Sequence, residues 1–307
     1  MPSLKEIKGR ISSVQSTLKI TSAMKLVASA KLRKAQQAIE GMRPYERKLQ
    51  GMLSRLMASG GVVSGPYAAP VRTDEGRSAG KMRVAVVAFA SNSSLCGAFN
   101  ANAVRLALET VRSFGDAEVI VYSIGRKMAD AMKKVGYSSP ADLTALADKP
   151  SYAEASTLAE KLMDDFREGR LDRVELVYNH FVSSGKQVPV REPFLPMGGE
   201  SPSPASQVRK DSPVIPSEAK ESDLDYILAP SAQALLEDLL PKSLKLKFYT
   251  ALLDSNASEH AARTIAMQTA TDNGEDLLQE LTLQYNKSRQ QKITSEILDL
   301  AGGSQEK

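Results

Sequence analysis

LKEIKGRISSVQSTLKITSAMKLVASAKLRKAQQAIEGM, residues 4–42, is the stretch whose reading decides the fold. Ile7, Ile11, Val14, Leu18, Thr21, Lys25, Ala28, Leu32, Ala35, Ile39 and Met42 succeed one another at alternating steps of four and three. That spacing is the seam of a coiled coil, with polar interruptions at Thr21 and Lys25, and a seam needs a partner helix. Inside it, Lys19–Ile39 holds five basic residues and no acidic one, with alanine and serine filling the faces. Over residues 1–36, eight basic side chains stand against Glu6 alone, a net of +7 that exceeds the +4 of the whole chain. Charge placed this way points to an acidic protein surface, a nucleic acid or a membrane face. The helical pattern runs on to about Met57, and Gly41 and Pro44 inside it predict a bend, because proline lacks a backbone donor and crowds the preceding turn.

The partner lies at the other end. Pro241 suits a first helical position, and no proline follows it. A helix from there to about Ala301 would measure roughly 90 Å at about 1.5 Å per residue. Leu278, Leu281 and Tyr285, then Ile293, Ile297 and Leu300, give it a broken apolar stripe. Gly274, in TATDNGEDL (269–277), costs about 1 kcal/mol relative to alanine in a helix interior. It predicts a close contact with another chain, a local loosening or a helix break. Small residues recur on both segments: Ser22, Ala23, Ala28, Ser29, Ala30 and Ala35 on one, Ala257, Ala261, Ala262, Ala266 and Ala270 on the other. They predict a slim coiled coil with smooth faces, suited to a narrow cavity in another protein.

Between the ends, residues 59–80 are glycine- and proline-rich and read as a linker. Strands are expected at 83–91, 117–125, 173–182 and 186–195, with helices at 97–114, 126–136 and 151–168. This alternation implies a small, largely parallel sheet with helices packed on it. Residues 197–223 are rich in serine and proline and read as a mobile loop. The expected fold is therefore α/β, a long antiparallel coiled coil of the N- and C-terminal helices with an inserted Rossmann-like α/β domain. The segments are 1–58 (coiled-coil helix), 81–196 (α/β domain), 197–230 (loop and connection) and 231–307 (coiled-coil helix).

Several chemistries find little support in the residues. No apolar run reaches the roughly 20 residues that span a bilayer, and MPSLKEIKGR lacks an apolar signal core, so a cytoplasmic location without membrane insertion is expected. Cys96 is the only cysteine, which excludes an internal disulfide and reads as buried and inert. His180 and His260 stand far apart with no partner at metal-ligand spacing, and read as ordinary, partly exposed histidines. The strand–loop–helix FASNSSLCGAFN (89–100) could hold a phosphate at its helix start. It has neither GxGxxG nor GxxxxGK[ST], so a structural turn is the favoured reading. Asp164 and Asp165 are neighbours on a helix, about 100° apart, and read as a solvated face. No aromatics interleave the basic helix and no DNA-binding motif is present, which argues against nucleic acid.

Two terminal stretches, residues 3–36 and 258–300, closely resemble the gamma-subunit family of bacterial F-type ATP synthases, and SLCGAFN (94–100) resembles a third motif of that family. The resemblance implies a rotating shaft whose coiled coil enters the hexamer of alpha and beta subunits, while its globular part sits with epsilon on the ring of c subunits. It implies no chemistry and no cofactor or metal on this chain, with ion flow, usually of protons, driving ATP synthesis on beta. It places the protein at the cytoplasmic face of the bacterial inner membrane. By motif, Met24 matches the methionine that faces the beta loop, with Lys25 beside it. Arg263, Arg289 and Gln290 match polar contacts to the hexamer, and Thr294 and Glu296 match positions linked to coupling. Small residues would keep a rotor from settling on any one of three similar partners. Departures from the family pattern are Asn92, Ser93 and Ser94 where members often have Asp-Arg-Gly, and Tyr226–Pro230 without the usual acid.

Overall fold

A computed structural model describes residues 3–58, 67, 81–197 and 232–303. The expected linker at 59–80 (Tyr67 apart), the loop at 198–223 and the Tyr226–Pro230 motif lie outside the described residues. The chain divides into two compact units, residues 31–262, and residues 1–30 with 263–307.

The first is an α/β unit. β1 (Arg83–Phe89) lies between β2 (Glu118–Ile124) and β3 (Arg173–Ser183), parallel to both, and β4 (Lys186–Leu195) pairs antiparallel with β3. The order is β2-β1-β3-β4. β1 is buried on both faces, as its run of valines and alanines requires of a central parallel strand. Its side chains alternate with the pleat. Val84, Val86 and Ala88 pack with α2 (Phe99–Ser113) and α3 (Arg126–Lys134). Ala85, Val87 and Phe89 join the larger core on the opposite face. That core takes in α5 (Tyr152–Arg167), Leu49, Leu53 and Leu56 of the N-terminal helix α1 (Leu4–Ala58), and Leu236, Leu240, Leu244 and Phe248 of the C-terminal helix α6 (Ala232–Gly303). Helices pack on the sheet, as anticipated, and they cover both of its faces. The short α4 (Thr144–Asp148) was not anticipated; at five residues it is too brief to carry a periodic signal.

The second unit is helical, built from the beginning of α1 and the later part of α6. Every position assigned to the seam from Ile7 to Lys25 is buried or half-buried. The two helices run antiparallel: Lys25 bonds Gln268, Thr21 bonds Thr271 and Leu18 touches the Gly274 backbone, so the α1 number falls as the α6 number rises. On α6, Met267, Thr271, Gly274, Leu278, Leu281, Tyr285 and Ser288 continue the same alternation of four and three.

α1 runs unbroken through Gly41 and Pro44; Pro44 and Glu40 are both exposed, which leaves the carbonyl released by the proline to solvent. Two expectations are corrected. α6 begins at Ala232, so Pro241 lies inside it, nine residues past the start. Gly274 is neither a break nor a loosening. A Cβ there would lie 2.7 Å from Leu18 Cδ2, so the glycine permits close approach of this chain's own helix rather than that of another chain.

Candidate partner-contact site

The sequence-derived positions fall on two stretches of the helical unit. In the middle stretch Lys25 Nζ donates to Gln268 Oε1 at 2.7 Å, and Gln268 Nε2 donates to Asp272 Oδ1 at 2.6 Å. The lysine is thus partly committed to holding the two helices together. Below it, the hydroxyls of Thr21 and Thr271 meet at 3.0 Å inside the seam. These polar pairs sit where leucines would pack, a device that fixes the register of paired helices at some cost in stability. Met24 is half-buried at the seam's edge, and Arg263 is buried, with 8% of its surface exposed.

The other stretch is the far end of α6. Arg289, Gln290, Thr294 and Glu296 are all exposed, as is every residue from 291 to 298. Thr294 Oγ1 bonds back to the Gln290 carbonyl at 2.9 Å, and Lys292 pairs with Glu296 at 3.7 Å across one turn. Arg289, Ile293 and Glu296 share one helix face by their i, i+4, i+7 spacing, while Gln290, Thr294 and Ile297 share the next. From Gln268 to Arg289 is 21 positions, about 32 Å along the helix at 1.5 Å per residue. Met24, Lys25 and Arg263 therefore do not join the Arg289–Glu296 group in one pocket. They form two separate belts.

Large apolar side chains on the outside of this unit escaped the sequence reading. Ile20 is 61% exposed, Leu26 68%, Val27 58% and Leu283 71%. Ile20, Met24 and Val27 form a stripe at i, i+4, i+7. The expectation of smooth small-residue faces holds only in part: Ala23, Ser29 and Ala30 are exposed, but Ala28, Ala35, Ala257 and Ala261 are buried between elements, and the outer surface also carries aliphatic groups. The signal was available, since an apolar residue off the seam of a paired helix has nowhere to hide. Solvent-exposed aliphatic stripes of this kind mark surfaces that another protein covers.

The loop weighed as a phosphate site is closed on itself. Asn100 Oδ1 accepts from the Ser91 backbone at 3.0 Å and from its hydroxyl at 2.9 Å, and Asn100 Nδ2 lies 3.1 Å from the buried Cys96 sulfur. Asn92, at one of the departures from the family pattern, bonds the Thr144 carbonyl, Asp148 and the Arg126 amide, tying three segments together. At the carboxyl ends of β1 and β2, Ser255, Asn256 and Glu259 of α6 leave a cavity lined also by Phe89, Ala90 and Ile124. It has room for about one water. His180 pairs with Asp254, and His260, expected to be partly exposed, is buried. Asp164 is exposed as expected, whereas Asp165 is largely covered and pairs with Arg170 at 2.6 Å. Among the described residues no group of three metal-ligating side chains occurs, and no helix is long and apolar enough to cross a membrane.

Comparison with known proteins extends over the full chain. The family described as ATP synthase matches residues 3–305. The ATP synthase gamma chain of Bacteroides thetaiotaomicron is 50% identical over 307 residues, covering 99% of both chains. That of Bacteroides fragilis strain YCH46 is 52% identical over 309 residues with the same coverage, and that of Flavobacterium johnsoniae is 39% identical over 306. Among solved structures, a chain of the Euglena gracilis mitochondrial ATP synthase OSCP/F1/c-ring assembly aligns with a TM-score of 0.61 at 19% identity. The alignment covers 98% of this chain and 93% of that one.

Proposed function

Because the chain belongs to the ATP synthase family, at about half identity to gamma chains along its whole length, we propose that it is the central-stalk gamma subunit. It rotates inside a hexamer of alpha and beta subunits and couples ion flow through a membrane ring of c subunits to ATP synthesis or hydrolysis on beta. Epsilon and the c-ring bind its globular part. The chain contributes mechanical coupling and no catalytic group, a reading supported by the self-bonded loop at Ser91–Asn100. It acts as a peripheral subunit at the cytoplasmic face of the bacterial inner membrane. Residues 1–58 and 231–307 supply the coiled coil, 81–196 the α/β domain, and 197–230 the connection.

The observation that carries this reading is the long antiparallel helix pair whose outer face and far end are exposed although they bear aliphatic and basic side chains. The partner's contacts divide between the two belts. Met24 and Lys25, beside Ile20 and Val27, meet one level of the hexamer, where the buried Arg263 offers little surface of its own; Arg289, Gln290, Thr294 and Glu296 meet another. A beta subunit that engages a belt differently in each conformation is coupled to the shaft's angle, since a ligand shifts an equilibrium only through differential affinity.

The test is reconstitution of alpha and beta subunits with and without this chain, with a marker on the α/β unit. ATP hydrolysis accompanied by turning of the marker is expected only in the three-component mixture; a chain that does not join the hexamer would sink the reading. Within that complex, replacing Arg289 and Gln290 together by alanine removes contacts worth about 1–3 kcal/mol and should lower turnover by about tenfold.

A further inference from the structure

On α6, the ten residues from Ala251 to His260 are all buried, and six of the last seven are polar: Asp254, Ser255, Asn256, Ser258, Glu259 and His260. A helix hydrophobic all round is the ordinary way to bury every face. Burying polar groups instead costs free energy unless each is bonded, and an apolar replacement of the same shape is often as stable or more so. What the polar groups add is direction.

Their partners lie on opposite sides of the helix. Asp254 pairs with His180, and its other oxygen accepts from the Phe181 amide at 3.4 Å. Ser258 donates to the Asn179 carbonyl at 2.8 Å. Asp254 and Ser258 are four residues apart, so they share a face, and both seize the end of β3. Asn256 donates to the Ala147 carbonyl of α4 at 2.9 Å. It stands two residues from each, about 200° around the helix. Ala257 and Ala261 meanwhile pack against Leu32 and Ala35 of α1. α6 is therefore held by directional bonds on two nearly opposed faces, both inside the α/β unit. Apolar packing alone would let the helix roll by exchanging one ridge for the next, whereas hydrogen bonds weaken steeply when bent.

We infer that Asp254, Asn256 and Ser258, with His180, form an anti-roll grip that fixes α6 about its own axis against the sheet, so that torque passes between the α/β unit and the helices without slip. The inference rests on the rotor function proposed above. These are positioning residues, acting through the helix rather than by touching nucleotide or ion.

The experiment uses the complete ATP synthase in sealed membrane vesicles, with Asn256→Leu and Ser258→Ala singly and combined, and Asp254→Asn. ATP hydrolysis and proton pumping are measured on the same vesicles. For the combined variant the grip predicts hydrolysis near the wild-type rate when the gradient is collapsed by an uncoupler. Pumping per ATP should fall about twofold or more as the gradient builds, because load is what makes the helix roll. The exchange His180→Asp with Asp254→His, which restores the pair in reverse, should recover more coupling than either single change. An unchanged ratio of pumping to hydrolysis in assembled enzyme overturns the grip. Where the combined variant does not assemble, the single Ser258→Ala, which removes one oxygen, decides by the same ratio. A wild-type chain that supports neither activity would instead refute the rotor function itself, which separates the two failures.

Discussion

Gly125 is the residue whose replacement has the plainest consequence. Its φ is +99°, and a Cβ there would lie 2.1 Å from the Ala90 carbonyl oxygen, a backbone atom held at the end of β1. The turn from β2 into α3 passes so close to β1 that no side chain fits. Gly125→Ala should destabilise the protein by about 3 kcal/mol or more, read from the shift of its urea unfolding midpoint. Titration offers a second test at this scale. Burial, with the nearby Asp165 charge as a lesser cause, raises the Tyr122 phenol above 10.0, and burial raises Tyr249 likewise. A raised pKa in the folded state means the unfolded chain loses its proton first. The stability these groups contribute is present below pH 10 and is lost as pH rises through the folded values. Tyr122→Phe with Tyr249→Phe should flatten the alkaline fall in stability from about pH 10 upward, measured by thermal melting.

At the scale of the element, the helix pair shows how a local penalty becomes a packing device. Gly274 weakens α6 by about 1 kcal/mol in propensity, yet lets Leu18 come within contact of its backbone. Gly274→Ala alone should leave the melting temperature nearly unchanged, because the gain in propensity is offset by displacement of the leucine side chain. In a Leu18→Ala background the same substitution should stabilise by about 1 kcal/mol. A gain of that size without the leucine change would mean that the close approach is unimportant. The seam was legible in the sequence because period and polarity agree over many turns. Pro241 was misleading for a physical reason: a proline is accepted at a helix start, but packing of Leu236, Leu240 and Leu244 in the core carries the helix through it.

For the whole molecule, the described side chains at the far end of α6, from Arg289 to Leu298, are all exposed and have little burial of their own to lose. Removing residues 289–307 should change the unfolding free energy of the chain by less than about 0.5 kcal/mol. The same deletion should sharply reduce ATP-driven turning in the reconstituted complex; an equal loss in both measurements would refute the division between folding and contact surfaces. The sequence alone determined the seam, the alternation of strands and helices and the family, and it singled out the residues proposed as contacts. Each of these rests on short-range periodicity or on motifs read along the chain. Only the tertiary structure decided that those positions form two belts, that Ile20, Leu26 and Val27 face outward, and that Asp254–His260 is buried on every side. A side chain's exposure depends on which distant segment covers it. Asp254 and His180 are 74 positions apart, and no local pattern announces that they meet.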